Sequence, residues 1–196
     1  MGFLSVLGMA HKLVKERAMA GGIVIDATCG NGVDTQFLAE LVGPRGTVYA
    51  FDIQEAALQR TEARLAAAGG SDKPAGGVAA LRLVHDSHSA MDAHIDDAHR
   101  GVVDAVMFNL GYLPGADQAV ITTAESTLPA IKAALALLRS GGVITAVLYP
   151  CHPGGSEEAD AVCEWAASLP QAAGQTLLYR MAQKPSAPYL IAIEKK

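Results

Sequence analysis

Ile23-Val24-Ile25-Asp26-Ala27-Thr28-Cys29-Gly30-Asn31-Gly32 runs from a β-branched apolar stretch through one acid into small residues and glycines. Residues 33–41 follow with apolar positions at helical spacing. A strand that turns on glycine into a helix brings backbone N–H groups close to whatever binds there, because no side chain holds a ligand away. The stretch reads as the first β/α step of a sheet whose ligand sits at the turn.

Outward from it, residues 47–52, 81–85, 102–109 and 143–149 are apolar and β-prone, whereas 54–68, 125–139 and 157–169 carry apolar residues at helical spacing. Such alternation marks βαβ units and a parallel sheet. Gly43-Pro44 and Gly141-Gly142 supply stops. The last strands, at 175–181 and 189–194, are joined through 183–188, too short a link for a helical crossover, so they are expected to be antiparallel neighbours. The expected class is α/β: a Rossmann-like, seven-stranded, mostly parallel sheet with a C-terminal antiparallel hairpin and helices on both faces. A chain of 196 residues that is 51% apolar suits one core, so 1–196 is expected to form one domain. The Gly/Pro-rich stretch 69–77 is read as a mobile loop without chemistry.

No apolar run approaches the roughly 20 residues of a membrane span. Phe3, Leu4, Val6, Leu7, Met9 and Ala10 precede His11, Lys12 and Lys15 at helical spacing, which favours an amphipathic helix over a signal sequence. Cys29, Cys151 and Cys163 are odd in number and form no C-x-x-C pair, which fits a reducing, cytoplasmic setting without structural metal. A net charge of −5 argues against a surface that traps nucleic acid everywhere, although a local basic patch is compatible with it.

The glycine turn lacks the third glycine of a dinucleotide fingerprint, since Thr35 stands at that position, and Asp26 would repel a pyrophosphate. S-adenosylmethionine (SAM) carries instead a cationic sulfonium and an ammonium group, which an acid attracts. Asp26, Thr28, Gly30, Asn31, Gly32, Asp34 and Thr35 are therefore candidate cofactor residues, with a plain structural turn as the alternative. The second strand ends in Phe51-Asp52-Ile53-Gln54, roughly 20 residues past the glycines, where a carboxylate accepts hydrogen bonds from both ribose hydroxyls. Asp52 could equally be only a helix cap. Ile53 would pack on adenine, with Gln54 beside it. The third strand delivers His85-Asp86-Ser87-His88 to the same edge, where Asp86, Ser87 and His88 are candidates for contact with the cofactor. These histidines, with His94 and His99, are better read as caps and cofactor contacts than as metal ligands, because no carboxylate pattern accompanies them.

The fourth strand leads into Asn109-Leu110-Gly111-Tyr112-Leu113-Pro114-Gly115. Asn109 and Tyr112 stand where amino-directed methyltransferases carry Asn or Asp followed by Pro-Pro-Tyr/Phe, with Leu110-Gly111 replacing the prolines. In that pattern the amide oxygen accepts a hydrogen bond from the target nitrogen and aligns its lone pair, so alignment supplies most of the rate. Asn109 and Gly111 would also border the cofactor. The fifth strand ends in Tyr149-Pro150-Cys151-His152-Pro153-Gly154, which makes His152 a candidate proton acceptor or base-stacking residue, or merely an exposed loop residue.

Taken together, Asp26–Gly32 with Asp34-Thr35-Gln36-Phe37-Leu38, Phe51-Asp52-Ile53-Gln54, the N-L-G-Y-L-P-G loop, His152-Pro153-Gly154 and the terminal Ile193-Glu194-Lys195-Lys196 resemble the YtqB-like bacterial class I SAM methyltransferases over nearly the whole chain. That family has been described as rRNA methylases and, more specifically, as enzymes that methylate the aminomethyl group of wobble 5-aminomethyl-2-thiouridine in tRNA. The resemblance implies SAM as cofactor, the anticodon region of tRNA as partner, catalytic roles for Asn109, Tyr112 and His152, and substrate contacts at Tyr112, Leu113, Pro114, Tyr149, His152 and Pro153. The sequence departs from the family around Tyr149-Pro150-Cys151 and Lys184-Pro185, which leaves the substrate side less defined than the cofactor side. Local help for RNA would come from His11, Lys12, Lys15, Arg17, Arg180 and Lys184, which also read as ordinary solvated residues. An apolar first helix and the hairpin offer surfaces for a homodimer. The alternatives are an rRNA or small-molecule N- or O-methyltransferase and a catalytically silent SAM-binding subunit.

Overall fold

A computed structural model describes residues 2–68, 79–111 and 121–196. Among them, β1 (Ile23–Asp26), β2 (Thr47–Asp52), β3 (Ala80–His85), β4 (Val103–Asn109), β5 (Leu138–Leu148), β6 (Gly174–Tyr179) and β7 (Tyr189–Lys195) form one seven-stranded sheet in the order β3-β2-β1-β4-β5-β7-β6. The first five strands pair in parallel; β7 runs antiparallel to both β5 and β6, as the short link between the last two strands requires. The chain winds one way from β1 to β3 and the other way from β4, so the crevice at the carboxyl ends of β1 and β4 is the topological switch point where open α/β sheets bind ligands.

Register decides which side chains reach that crevice. Asp26 pairs with Ala50 on one side and Met107 on the other, so Asp52 and Asn109 stand two residues beyond it. Asp52 pairs with His85, and Asn109 with Val147. Asp52, His85 and Asn109 thus share the rim, with Asp26 one layer down.

Helices cover both faces: α1 (Val6–Lys15), α2 (Val33–Val42) and α3 (Glu55–Ala68) on one, and α4 (Met91–His94), α5 (Ala124–Leu137) and α6 (Gly155–Ser168) on the other. Alternation along each strand feeds both layers. Val24, Val48 and Val143 pack with Ala10, Val14, Leu38 and Val42, whereas Ile25, Phe51 and Ile144 pack with Ile131, Leu137 and Val162. Full burial of one Leu or Ile contributes roughly 1.5–3 kcal/mol. A one-residue slip would exchange the two faces of a strand, so these layers also hold the register.

The largest difference from the periodicity lies at 137–143. Helix α5 ends at Leu137, before Arg139, and β5 begins at once, with Gly141-Gly142 inside the strand rather than ahead of it. Leu138 pairs with Val103 and Val143 with Ala105, so the intervening residues form a bulge with Gly141 at φ +74°. The cause is tertiary: Arg139 Nε donates to buried Asp104 at 2.6 Å and Nη2 to the Arg17 carbonyl at 2.7 Å, which draws Arg139 out of the helix. The stretch 69–77 lies outside the described residues.

Candidate active site

The turn after β1 is held from below. Asp26 is 1% exposed; its Oδ1 accepts the Thr28 N–H at 3.1 Å and its Oδ2 accepts the Thr35 hydroxyl at 2.6 Å. Burial first, then the Asp34 charge, lifts this carboxyl to about 7. The structure therefore places Asp26 and Thr35 beneath the cleft, as a clamp between the turn and α2, and not on its wall. Gly32 caps α2 at φ +75°, and a β-carbon there would lie 2.9 Å from the Thr61 backbone, so it serves the turn's shape. Thr28, Gly30, Asn31 and Asp34 do face the cleft.

Asp52 is half-buried at the rim. Its Oδ2 accepts the Gly30 N–H at 3.0 Å and its Oδ1 the Gln54 N–H at 2.9 Å, which fixes the carboxylate against the glycine turn and leaves lone pairs for a ligand. Beside it Ile53 is 53% exposed, an apolar platform, with Gln54 next along the wall. Asp86, Ser87 and His88 line the same end. Asp86 accepts from His94 at 2.7 Å and from the Ser87 N–H, and the His94 bond is the main reason its carboxyl sits below the usual range. His88 is buried and, with burial lowering its pKa, neutral. Its Nδ1 donates to the Ala27 carbonyl at 3.2 Å, which leaves Nε2 an acceptor without a partner among the described residues. Two further histidines are engaged elsewhere: His85 donates to the Ile53 carbonyl and His99 meets the Tyr49 hydroxyl.

On the far side of the turn, the Asn109 N–H donates to Thr28 Oγ1 at 2.8 Å, tying β4 to β1, and the side-chain Oδ1 is buried with no hydrogen-bond partner among the described residues. Gly111, at φ +127°, comes close to Tyr149 and His152: a β-carbon on it would stand 3.5 Å from His152 Nε2 and 3.8 Å from the Tyr149 ring. Burial, then the Asp34 charge, pushes the Tyr149 hydroxyl up. Asn109, Gly111, Tyr149 and His152 are thus brought together on one wall of a cleft of about 490 Å³, within the range of roughly 300–1,000 Å³ usual for small-molecule sites. Pro153 does not line it. Tyr112, Leu113, Pro114 and Gly115 lie outside the described residues.

Several wall residues left no mark in the sequence reading. Ser186 and Pro188, from the hairpin link, and Ile121 and Ser126, near the start of α5, join the wall through tertiary folding alone. His11 reaches from α1 to Asp34 at 2.7 Å and stacks on Phe37 at 4.0 Å, so it braces the cofactor turn. Glu158 was legible in principle: it stands four residues before Val162 and eight before Ala166, on the buried stripe of α6. Of the basic residues considered for RNA, Arg17 is bound to Glu194 and Arg180 to the Pro185 carbonyl; Lys12, Lys15 and Lys184 extend from the surface.

A family model described as "Putative rRNA methylase" matches residues 48–194. The chain belongs to this methyltransferase family. A general methyltransferase-domain model also matches residues 19–73, over the glycine turn. The family member is 38% identical over 193 residues to the chloroplastic tRNA (mnm(5)s(2)U34)-methyltransferase of Arabidopsis thaliana, covering 96% of this chain and 68% of that one. Its fold matches the crystal structure of a "putative rRNA-methylase" from Clostridium thermocellum with TM-score 0.90 and 38% identity, over 100% of both chains. It also matches SMU.1697c of Streptococcus mutans, solved in complex with SAH, with TM-score 0.84 and 33% identity over 100% of both chains. The methyltransferase is of class I, and its cofactor is SAM. Among the described residues no helix is long and apolar enough to cross a membrane.

Proposed function

We propose that the chain methylates tRNA, transferring the methyl group of SAM to the aminomethyl nitrogen of wobble 5-aminomethyl-2-thiouridine. The observation that carries this reading is the Asn109 amide oxygen, buried beside the cleft with no hydrogen-bond partner among the described residues. A buried acceptor left unpaired costs about 1–3 kcal/mol, a cost that an incoming N–H removes. The name of the Arabidopsis relative supports the tRNA substrate, and the family description makes rRNA the second reading.

The cleft suits SAM on the chemistry of its donors. Asp52 would hold the ribose hydroxyls, Ile53 and Gln54 would pack along the adenine, and Asp86, Ser87 and His88 would meet its polar edge. Thr28, Gly30, Asn31 and Asp34 hold the amino-acid end, whose ammonium group an aspartate attracts. SAM supplies, when bound, a methyl group on a cationic sulfur that keeps the bonding pair as the methyl leaves. Asn109 Oδ1 would accept an N–H from the neutral amine and so aim the nitrogen lone pair for transfer, the new N–C bond replacing the donor's S–C bond. The surplus proton on nitrogen passes to His152 or to water. Alignment of this kind removes roughly 7–11 kcal/mol from a bimolecular barrier, and no covalent enzyme intermediate is required. Tyr112, Leu113 and Pro114 are assigned to the nucleotide on motif grounds alone, as is Pro153; of the substrate-side residues, Tyr149 and His152 line the cleft.

In the same reading residues 1–196 act as one domain in the cytoplasm, with Lys12, Lys15 and Lys184 available to phosphates and exposed Phe3, Leu4 and Leu7 available to a homodimer. The deciding experiment is mass spectrometry of wobble nucleosides from cells lacking the gene, before and after addition of purified protein and SAM. Accumulated 5-aminomethyl-2-thiouridine should convert to its methylaminomethyl product. Methylation of rRNA or of small amines with this tRNA untouched overturns the reading.

A further inference from the structure

We propose that Glu158 is a positioning residue that, through Thr122, holds the backbone at Asn109–Gly111 in place for methyl transfer. The inference rests on the reading that Asn109 aims the acceptor amine.

Glu158 is 2% exposed, on the inward face of α6. Both of its oxygens accept from hydroxyls, Oε2 from Thr122 at 2.9 Å and Oε1 from Thr127 at 2.6 Å. The Thr122 hydroxyl proton is therefore committed to the carboxylate, and its lone pairs can only accept. The donor they meet is the Gly111 N–H, at 2.8 Å, while the Thr122 N–H returns a hydrogen bond to the Gly111 carbonyl at 3.0 Å. The carboxylate thus sets the direction of the whole chain of bonds. A neutral amide at 158 has one accepting oxygen for two threonine hydroxyls, so it cannot orient both, and the bond from Gly111 N–H to Thr122 loses its fixed direction. Gly111 is two residues past Asn109 and adopts φ +127°, open to glycine but only one of many conformations it can take, so the hydrogen bonds to Thr122 select it.

Stability alone does not account for an acid at this position. Replacing buried charge by apolar groups of similar volume is often neutral or stabilising. Here burial pushes the carboxyl up, while the two threonine hydrogen bonds oppose it.

The test uses the full chain with Glu158→Gln and Thr122→Val, each close in shape to the native residue. SAH affinity by calorimetry should stay within about twofold of wild type, while kcat on tRNA falls about 10- to 100-fold. The Gly111 amide should exchange with solvent at least about tenfold faster. In an Asn109→Ala background, Glu158→Gln should lower kcat by less than about twofold, because both act through one element. Native kcat in both variants, or fully multiplicative losses with Asn109→Ala, overturns the proposal. Should Glu158→Gln not fold, Thr122→Val gives the same readouts. A wild-type protein inert on tRNA defeats the substrate reading instead, and the exchange rate at Gly111 then decides whether Glu158 holds the loop.

Discussion

Asp52→Asn changes one oxygen into an NH₂ group, and the geometry around Asp52 makes that small change severe. Both carboxylate oxygens already face backbone donors, Gly30 N–H at 3.0 Å and Gln54 N–H at 2.9 Å. Whichever way the amide is turned, its nitrogen points at one of these N–H groups. The variant also retains a single oxygen for ribose, so one charge-assisted hydrogen bond is lost, worth about 1.5–3 kcal/mol. At about 1.4 kcal/mol per factor of ten, the Kd for SAM should rise about 10- to 150-fold. The orphaned backbone donor costs the ligand-free protein a further ~1–3 kcal/mol, and for a chain of this length each kcal/mol lowers Tm by about 2–4 °C. Asp52→Ala should weaken SAM at least as much, yet disturb the ligand-free fold no more than Asn does, since water can enter. Calorimetry with SAM and melting of the ligand-free variants check both parts. A Kd within about twofold of wild type for Asp52→Asn would remove Asp52 from cofactor binding.

Asn109→Ala should slow methyl transfer about 100-fold in single-turnover measurements while SAM affinity is kept, and an unchanged rate would take Asn109 out of catalysis. Gly155→Ala would put a β-carbon 2.3 Å from the Tyr149 carbonyl and 2.8 Å from His152 Nε2, so α6 or the His152 loop must move. A loss of about 1–3 kcal/mol on chemical denaturation, together with a fall in kcat, is expected. Asp26 gives a pH signature: the folded chain holds its proton up to about 7, whereas the unfolded chain releases it near 3.8, so the folded state binds more protons across that window and stability falls as pH rises through it. Asp26→Asn cannot ionise, so its Tm should gain on wild type as pH rises from about 4 to about 7; parallel Tm curves for the two proteins would refute the assignment.

The sheet could be read from sequence because parallel strands buried on both faces leave continuous apolar runs such as Val103–Asn109, closed by glycine turns that few other structures need. The bulge at 139–142 could not. Gly141-Gly142 reads locally as a helix stop, and what overrides it is an ion pair between Arg139 and Asp104, which stand 35 residues apart in sequence. The short helix α4 has too few residues to show a period. Glu157 and Glu158 illustrate the same limit within the site. Both look like first-turn acids that complement the helix dipole, and only the phase of α6 against the sheet turns one outward and buries the other.

The strand-end acids show why motif reading finds a site sooner than it assigns roles. Asp26 and Asp52 each end a parallel strand and each precede a turn, so their local sequences suggest the same task. Register separates them. Because Asp26 pairs with Ala50, Asp52 projects two residues farther, about 7 Å at the usual strand rise. That offset takes Asp26 out of the cleft into contact with Thr35, where its carboxyl is held close to neutrality, and leaves Asp52 at the rim, fixed by two backbone donors. The same offset, applied to the pairing of Asp26 with Met107, brings Asn109 to the rim as well. A cofactor ligand and an acceptor-orienting amide therefore share one row of the sheet, while the acid nearest the glycine motif serves as its support. Pairing between strands distant in sequence sets that division, and no motif at either strand end encodes it.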